Sequence, residues 1–101
     1  MTPYVSVIVP AFNAADFITD AYQSIAEQTI GDWEVIFVND SSQDDTLAVV
    51  RSLMAADNRI KVIDLPSNSG PAFARNAGLA LAEGDWIALL DADDRDRRAH
   101  V

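Results

Sequence analysis

The amino-acid sequence predicts an α/β fold built on a parallel sheet with helices on both faces. Two apolar periodicities alternate along the chain. Short β-branched runs take turns with longer segments that place an apolar residue every three or four positions. The short runs are almost continuously apolar, the pattern of strands buried on both sides. Strands separated by helices need crossover connections, which are right-handed and leave successive strands parallel.

Residues 5–9 form the first strand segment. Residues 16 to about 29 carry Phe17, Ala21 and Ile25 at four-residue spacing, with Ile18 and Tyr22 beside them, which makes one helical face. Residues 33–38 read as the second strand. Leu47, Val50, Leu53 and Met54 then recur at helical spacing behind a Ser/Asp cluster suited to capping. Residues 60–65 are the third strand. Residues 71–83 are Ala-rich and helical, with Pro71 suited to the first turn and Gly84 to the stop. Residues 86–90 are the fourth strand. The loop Pro66-Ser67-Asn68-Ser69-Gly70 reads as the loosest connection, and there is no internal repeat or low-complexity linker.

The 101 residues bound one domain with one modest core. No apolar stretch reaches the roughly 18 residues of a membrane span. No basic region precedes the first apolar run, so it is not a signal peptide, and the cytoplasm is the expected location. The absence of cysteine excludes disulfides and thiolate metal sites. The net charge is −9, and seven Lys and Arg are scattered except at the tail, which excludes a nucleic-acid-binding face.

The chemistry concentrates where apolar strands end. Trp86-Ile87-Ala88-Leu89-Leu90 runs directly into Asp91-Ala92-Asp93-Asp94. Three carboxylates within four positions repel one another unless a cation sits among them, and hard divalent cations prefer carboxylate oxygen. A solvated acidic turn is the other reading of the same residues. In an open parallel sheet, ligands bind at the C-terminal strand ends where the winding reverses. With strand 1 central and strands 2 and 4 beside it, the order 3-2-1-4, three loops converge. They are Pro10-Ala11-Phe12-Asn13, Asn39-Asp40-Ser41-Ser42 and Asp91-Ala92-Asp93-Asp94. Asp40 suits a nucleobase N–H or a ribose hydroxyl, and equally the cap of the helix starting near Asp44. Phe12 suits stacking on a base, although a lone phenylalanine is more often a core side chain. Arg75, with Asn76 beside it, interrupts an apolar helix; it suits a phosphate or a nearby acid, or plain solvation. His100 is given no role.

Four of these blocks together resemble family 2 glycosyltransferases, the large group with the GT-A fold. Val5-Ser6-Val7-Ile8-Val9-Pro10-Ala11-Phe12-Asn13 resembles the family's opening. Val38-Asn39-Asp40-Ser41-Ser42-Gln43-Asp44 is similar to its V-D-D-G-S-x-D stretch, and Gly70-Pro71-Ala72-Phe73-Ala74-Arg75-Asn76-Ala77-Gly78 to its G-x-x-x-A-R-N-x-G helix. Asp91-Ala92-Asp93-Asp94 matches its D-x-D region. The blocks stand in the family's order and cover nearly the whole chain.

The resemblance implies a Rossmann-like partial GT-A fold that binds a nucleotide-sugar donor, a UDP-sugar by expectation, for transfer to a glycan or lipid-linked acceptor in a pathway such as exopolysaccharide synthesis. Asp40 would hold the base, Phe12 would contact it, and Arg75 would lie near uracil or diphosphate, with Pro10 and Asn13 as further donor-binding positions. Asp91 and Asp93 would face the ribose and a Mg²⁺ or Mn²⁺ bridging the diphosphate, with Asp94 a third candidate ligand. Such an ion neutralises the charge that develops on a diphosphate leaving group. Asn39 replaces the first acid of the family's D-D pair and Ser41 replaces its glycine. The family's acceptor half and catalytic base lie downstream of the D-x-D. The expectation is therefore a donor-binding N-terminal portion, residues 1–101, of an enzyme that works at the inner face of the membrane, with no catalytic residue of its own and no turnover alone. Its fourth strand would leave an edge through which copies could pair as a homo-oligomer.

Three other classes fit less well. A haloacid-dehalogenase-like phosphatase opens on its D-x-D and continues far beyond it. A receiver-like signalling module needs an acid pair after strand 1, where this chain has Asn13, and a late lysine, which is absent. A dinucleotide-binding domain would need G-x-G-x-x-G after strand 1.

Overall fold

The computed structural model describes residues 5–28 and 32–90. The elements alternate as expected: β1 (Val5–Ala11), α1 (Ala15–Gln28), β2 (Trp33–Asn39), α2 (Thr46–Ala56), β3 (Ile60–Asp64), α3 (Pro71–Leu81) and β4 (Trp86–Leu89). The four strands form one sheet in the order β3-β2-β1-β4. Every neighbouring pair is parallel, with Val7 opposite Val35 and Ala88, and Asn39 opposite Asp64.

Strand alternation sends successive side chains to opposite faces and so builds two cores. On one face Val7, Val9, Val35 and Phe37 pack against Ile18, Ala21 and Ile25 of α1 and Val50 of α2. On the other, Ile8, Ile36 and Val38 pack against Ala74 of α3. Each Val, Ile or Phe among them contributes about 1.5–3 kcal/mol on full burial. Helix α3 lies close to the sheet because Gly78 has no side chain; a Cβ there would stand 2.6 Å from Ile8 Cγ2.

Three sequence expectations need correction. Burial on both faces holds for the central β1 and β2, whereas the edge strands β3 and β4 are largely half-exposed, because each has one strand neighbour. Trp86 is 53% exposed. Helix α3 ends at Leu81 with Ala82 in an extended conformation, so Gly84 is not its stop. Gly84 serves packing instead: a Cβ on it would lie 2.7 Å from the backbone nitrogen of Ser6.

Two polar clusters hold the sheet at the end away from the converging loops. The Glu34 carboxylate is buried and accepts from Ser6 Oγ at 2.5 Å, from the Glu83 amide at 2.8 Å and from Lys61 Nζ at 2.6 Å. Ser6 Oγ in turn accepts the Gly84 amide at 2.8 Å, so the α3–β4 turn is tied to β1 and β2. In the second cluster the Arg59 guanidinium lies 3.9 Å over the Trp33 ring and pairs with Asp57, which also accepts from Tyr22 Oη at 2.7 Å. The bond from Arg59 holds the Asp57 carboxyl well below the usual carboxylate range, against the effect of burial.

Candidate functional site

The C-terminal ends of the strands gather the polar loops, and alternation decides which face each residue serves. Phe37 belongs to the face covered by α1 and α2, and Val38 to the face covered by α3. The next two positions continue that alternation, so Asn39 turns toward α2 and Asp40 toward α3. Adjacent residues of one motif therefore stand on opposite sides of the sheet.

Asp40 is 4% exposed and does not cap α2. Its Oδ1 accepts the Ser69 amide at 2.7 Å and its Oδ2 the Gly70 amide at 2.9 Å. Gly70, at φ 88°, is the residue before α3, and Pro71 has no N–H to offer. The carboxylate thus caps α3 across the sheet end, where a negative charge complements the helix dipole. The segment that reads as a loose loop in the sequence is bound at its far end. Among the described residues each carboxylate oxygen is used once, and a carboxylate has about four acceptor positions, so capacity for a further donor remains.

The Asp40 amide donates to the Ala11 carbonyl at 2.9 Å, which brings the first converging loop beside the second. Phe12, next in the chain, is 43% exposed and is not a core side chain. Pro10 is half-buried, on the strand face that Ile8 presents to α3. Arg75 and Asn76 lie exposed on α3, in the turn that follows the Asp40 cap. The Leu90 amide donates to the Ile8 carbonyl at 3.0 Å, so β4 delivers the chain alongside the end of β1. Asp91, Asp93 and Asp94 follow Leu90 and lie outside the described residues, as does His100.

Asn13, at φ 49°, donates its amide to Ser42 Oγ at 3.0 Å and accepts the Gln43 amide on Oδ1 at 2.8 Å. Its side-chain oxygen is thus engaged with the β2–α2 loop. Asp44 strengthens the same seam. It accepts the Thr46 amide at 2.9 Å, the Thr46 hydroxyl, and the Ala15 amide at 3.2 Å. Burial pushes the Asp44 carboxyl up, but these bonds outweigh it and hold it below the usual range. The α2 cap is therefore Asp44 acting on Thr46, while Asp45, at the N-cap position, makes no side-chain capping bond. Behind the seam lies a cleft of about 490 Å³, lined by Asn39, Asp64, Arg51 and the start of α2.

Ser41 has φ 57°, a left-handed conformation that suits glycine. The family pattern has glycine at this position, and the geometry gives the reason. Ser41→Gly is expected to stabilise the chain by about 0.5–1 kcal/mol, the relief of strain less the added entropy of the unfolded glycine. A thermal midpoint that does not rise would contradict this.

An open parallel sheet whose capped helix, exposed aromatic and polar loops meet at one strand end defines an α/β layer of the Rossmann type. The comparisons carry the assignment further. The family model described as "Glycosyl transferase family 2" matches residues 6–101, and the chain belongs to that family. It is 44% identical over 95 residues to the succinoglycan biosynthesis protein ExoO of Rhizobium meliloti, covering 94% of this chain and 27% of that protein. It is 33% identical over 94 residues to the glycosyltransferase GlyG of Streptococcus pneumoniae, covering 93% and 31%. Among solved structures it matches S. aureus TarS in complex with UDP-GlcNAc with TM-score 0.81 and 39% identity, covering 89% of this chain and 26% of TarS. It matches the mannosyltransferase PcManGT of Pyrobaculum calidifontis, in complex with GDP-Man and Mn²⁺, with TM-score 0.83 and 31% identity, covering 92% and 28%. The sheet and its flanking helices are thus those of GT-A transferases. The chain spans about a third or less of the length of these relatives. No helix among the described residues is long and apolar enough to cross a membrane.

Proposed function

We propose that this chain forms the donor-binding part of a glycosyltransferase that takes a nucleotide-diphosphate sugar, UDP-linked, with a divalent cation. The observation that carries the reading is the junction at Asp40. One residue bonds the β1 loop through its amide and the start of α3 through its carboxylate. The exposed aromatic Phe12 follows the loop residue that Asp40 holds, and Arg75 lies on the helix that Asp40 caps, next to an acid that has spare acceptor capacity among the described residues. A uracil offers an N–H for the acid and a ring face for the phenylalanine. Relatives bound to UDP-GlcNAc, UDP and GDP-Man support a nucleotide-sugar donor.

Asp91, Asp93 and Asp94 supply the oxygen donors that Mg²⁺ or Mn²⁺ prefers, and the Mn²⁺ complex of the mannosyltransferase supports such an ion. Bound there, the cation would neutralise the diphosphate leaving group. The acceptor, a glycan or a lipid-linked sugar in polysaccharide synthesis at the cytoplasmic face of a membrane, belongs to the whole enzyme, as does the catalytic base. The edge of β4 that pairs with no other strand among the described residues, with Trp86 exposed, is the surface through which copies of this chain would pair.

Calorimetry with UDP, with and without Mn²⁺, tests the donor site. Binding should need the cation, and Asp93→Asn should weaken it by about tenfold, the scale of one lost charge-assisted contact. Equal binding in both conditions, or an unchanged Asp93→Asn variant, would overturn the metal assignment.

A further inference from the structure

The face of the sheet behind the proposed donor site carries a chain of polar contacts of which the donor reading uses one member, Asn13. Asn39 and Asp64 are register partners at the ends of β2 and β3. Asn39 Nδ2 donates to Asp64 Oδ1 at 3.0 Å, and Asn39 Oδ1 accepts the Ser42 amide at 3.3 Å. Ser42 Oγ accepts the Asn13 amide, and Asn13 Oδ1 accepts the Gln43 amide. Four contacts thus run from the edge strand to the β1–α1 loop, the loop that presents Phe12. Asn39 is buried and Asp64 is exposed on the α2 side of the sheet, away from Asp40.

The chemistry of position 39 explains why this chain departs from the acid of the family pattern. The site asks one side chain to donate toward Asp64 and accept from Ser42. A carboxamide does both, whereas an ionised carboxylate accepts only. An aspartate at 39 would keep the Ser42 contact but set a second carboxylate against Asp64, at a position now 3.0 Å from it. The two residues are therefore coupled: one acid and one amide, in either order, satisfy the relay, and two acids do not.

We propose that Asp64 is a positioning residue for the donor site. It orients Asn39, which fixes Ser42 and through it the β1–α1 loop, so that Phe12 is held ready for the base. The inference rests on the donor reading above for its ligand, and its geometry stands without it.

The test is a charge exchange in the full chain, read by UDP affinity in the presence of Mn²⁺ and by the amide NMR shifts of Asn13, Ser42 and Gln43. Asn39→Asp should weaken UDP binding by roughly tenfold and move all three amide signals. Asp64→Ala, which introduces no repulsion and removes an exposed side chain, should move the same signals and weaken binding by roughly threefold. The double exchange, Asn39→Asp with Asp64→Asn, restores one donor and one acceptor and should return affinity to within about threefold of the parent. At a temperature where every variant is fully folded, a merely structural role would lower the thermal midpoint but leave UDP affinity unchanged. Unchanged affinity in Asn39→Asp, stationary amide signals, or no rescue would overturn the proposal. If the parent chain binds no UDP, the donor reading falls, and the amide signals still decide whether the relay exists.

Discussion

Glu34→Ala is expected to remove about 3 kcal/mol of stability, the scale of breaking a buried, hydrogen-bonded ion pair from one side. The glutamate is buried near the N-terminal end of β2 and holds three partners at once: the Ser6 hydroxyl, the Glu83 amide and the Lys61 ammonium. Removing it leaves the hydroxyl and the amide without an acceptor and releases the turn that carries the chain from α3 into β4. For a domain of this size the thermal midpoint should fall by roughly 12–24 °C. A fall of only a few degrees would mean that water replaces the carboxylate at little cost.

The same cluster predicts a pH dependence with a definite sign. Burial alone would raise the Glu34 pKa, but the bonds from Lys61, Ser6 and Glu83 outweigh it and hold it below its ordinary 4.5. A depressed carboxyl stabilises the fold fully above the unfolded value and loses that contribution as pH falls through the folded one. Lys61 is raised above 10.5 chiefly by its bond to Glu34, so its contribution is full below that value and is lost as pH rises through the folded one. The stability gap between the parent and Glu34→Ala should therefore be widest between these limits. It should narrow in acid below about pH 4.5. A gap that widens in acid would contradict the assignment.

Asp40→Ala should have two separate effects. It deprives the Ser69 and Gly70 amides of their acceptors at the start of α3, at a cost of about 2 kcal/mol. Hydrogen exchange at those two amides should accelerate. On the donor reading it should also weaken UDP binding by tenfold or more, while leaving the binding of Mn²⁺ alone largely intact. Asp40→Asn offers one acceptor oxygen where two are used, so it should fall between the parent and alanine. UDP affinity unchanged in Asp40→Ala would remove Asp40 from base recognition and leave it the cap of α3.

The sequence by itself determined the element order, the parallel 3-2-1-4 sheet and the family. Each is carried by a local signal: a run of β-branched residues such as Val5-Ser6-Val7-Ile8-Val9, an apolar face such as Phe17, Ala21 and Ile25, or a motif read in order. It also placed Asp40, Phe12 and Arg75 on loops or helix starts at one end of the sheet, because a parallel strand always delivers its following residues to the same side. What it left open at Asp40 and Phe12, the tertiary structure decided: Asp40 caps α3 rather than α2, and Phe12 is exposed. Periodicity tells which face a residue takes but not what meets it there. The amides that Asp40 holds are 29 and 30 residues away, and Gly84 reaches Ser6 across 78. Such partners are set by crossovers that fold the chain back over the sheet. The Asn39–Asp64 relay escaped the motif reading for the same reason, since Asn39 and Asp40 are neighbours in the chain and stand on opposite faces of the sheet.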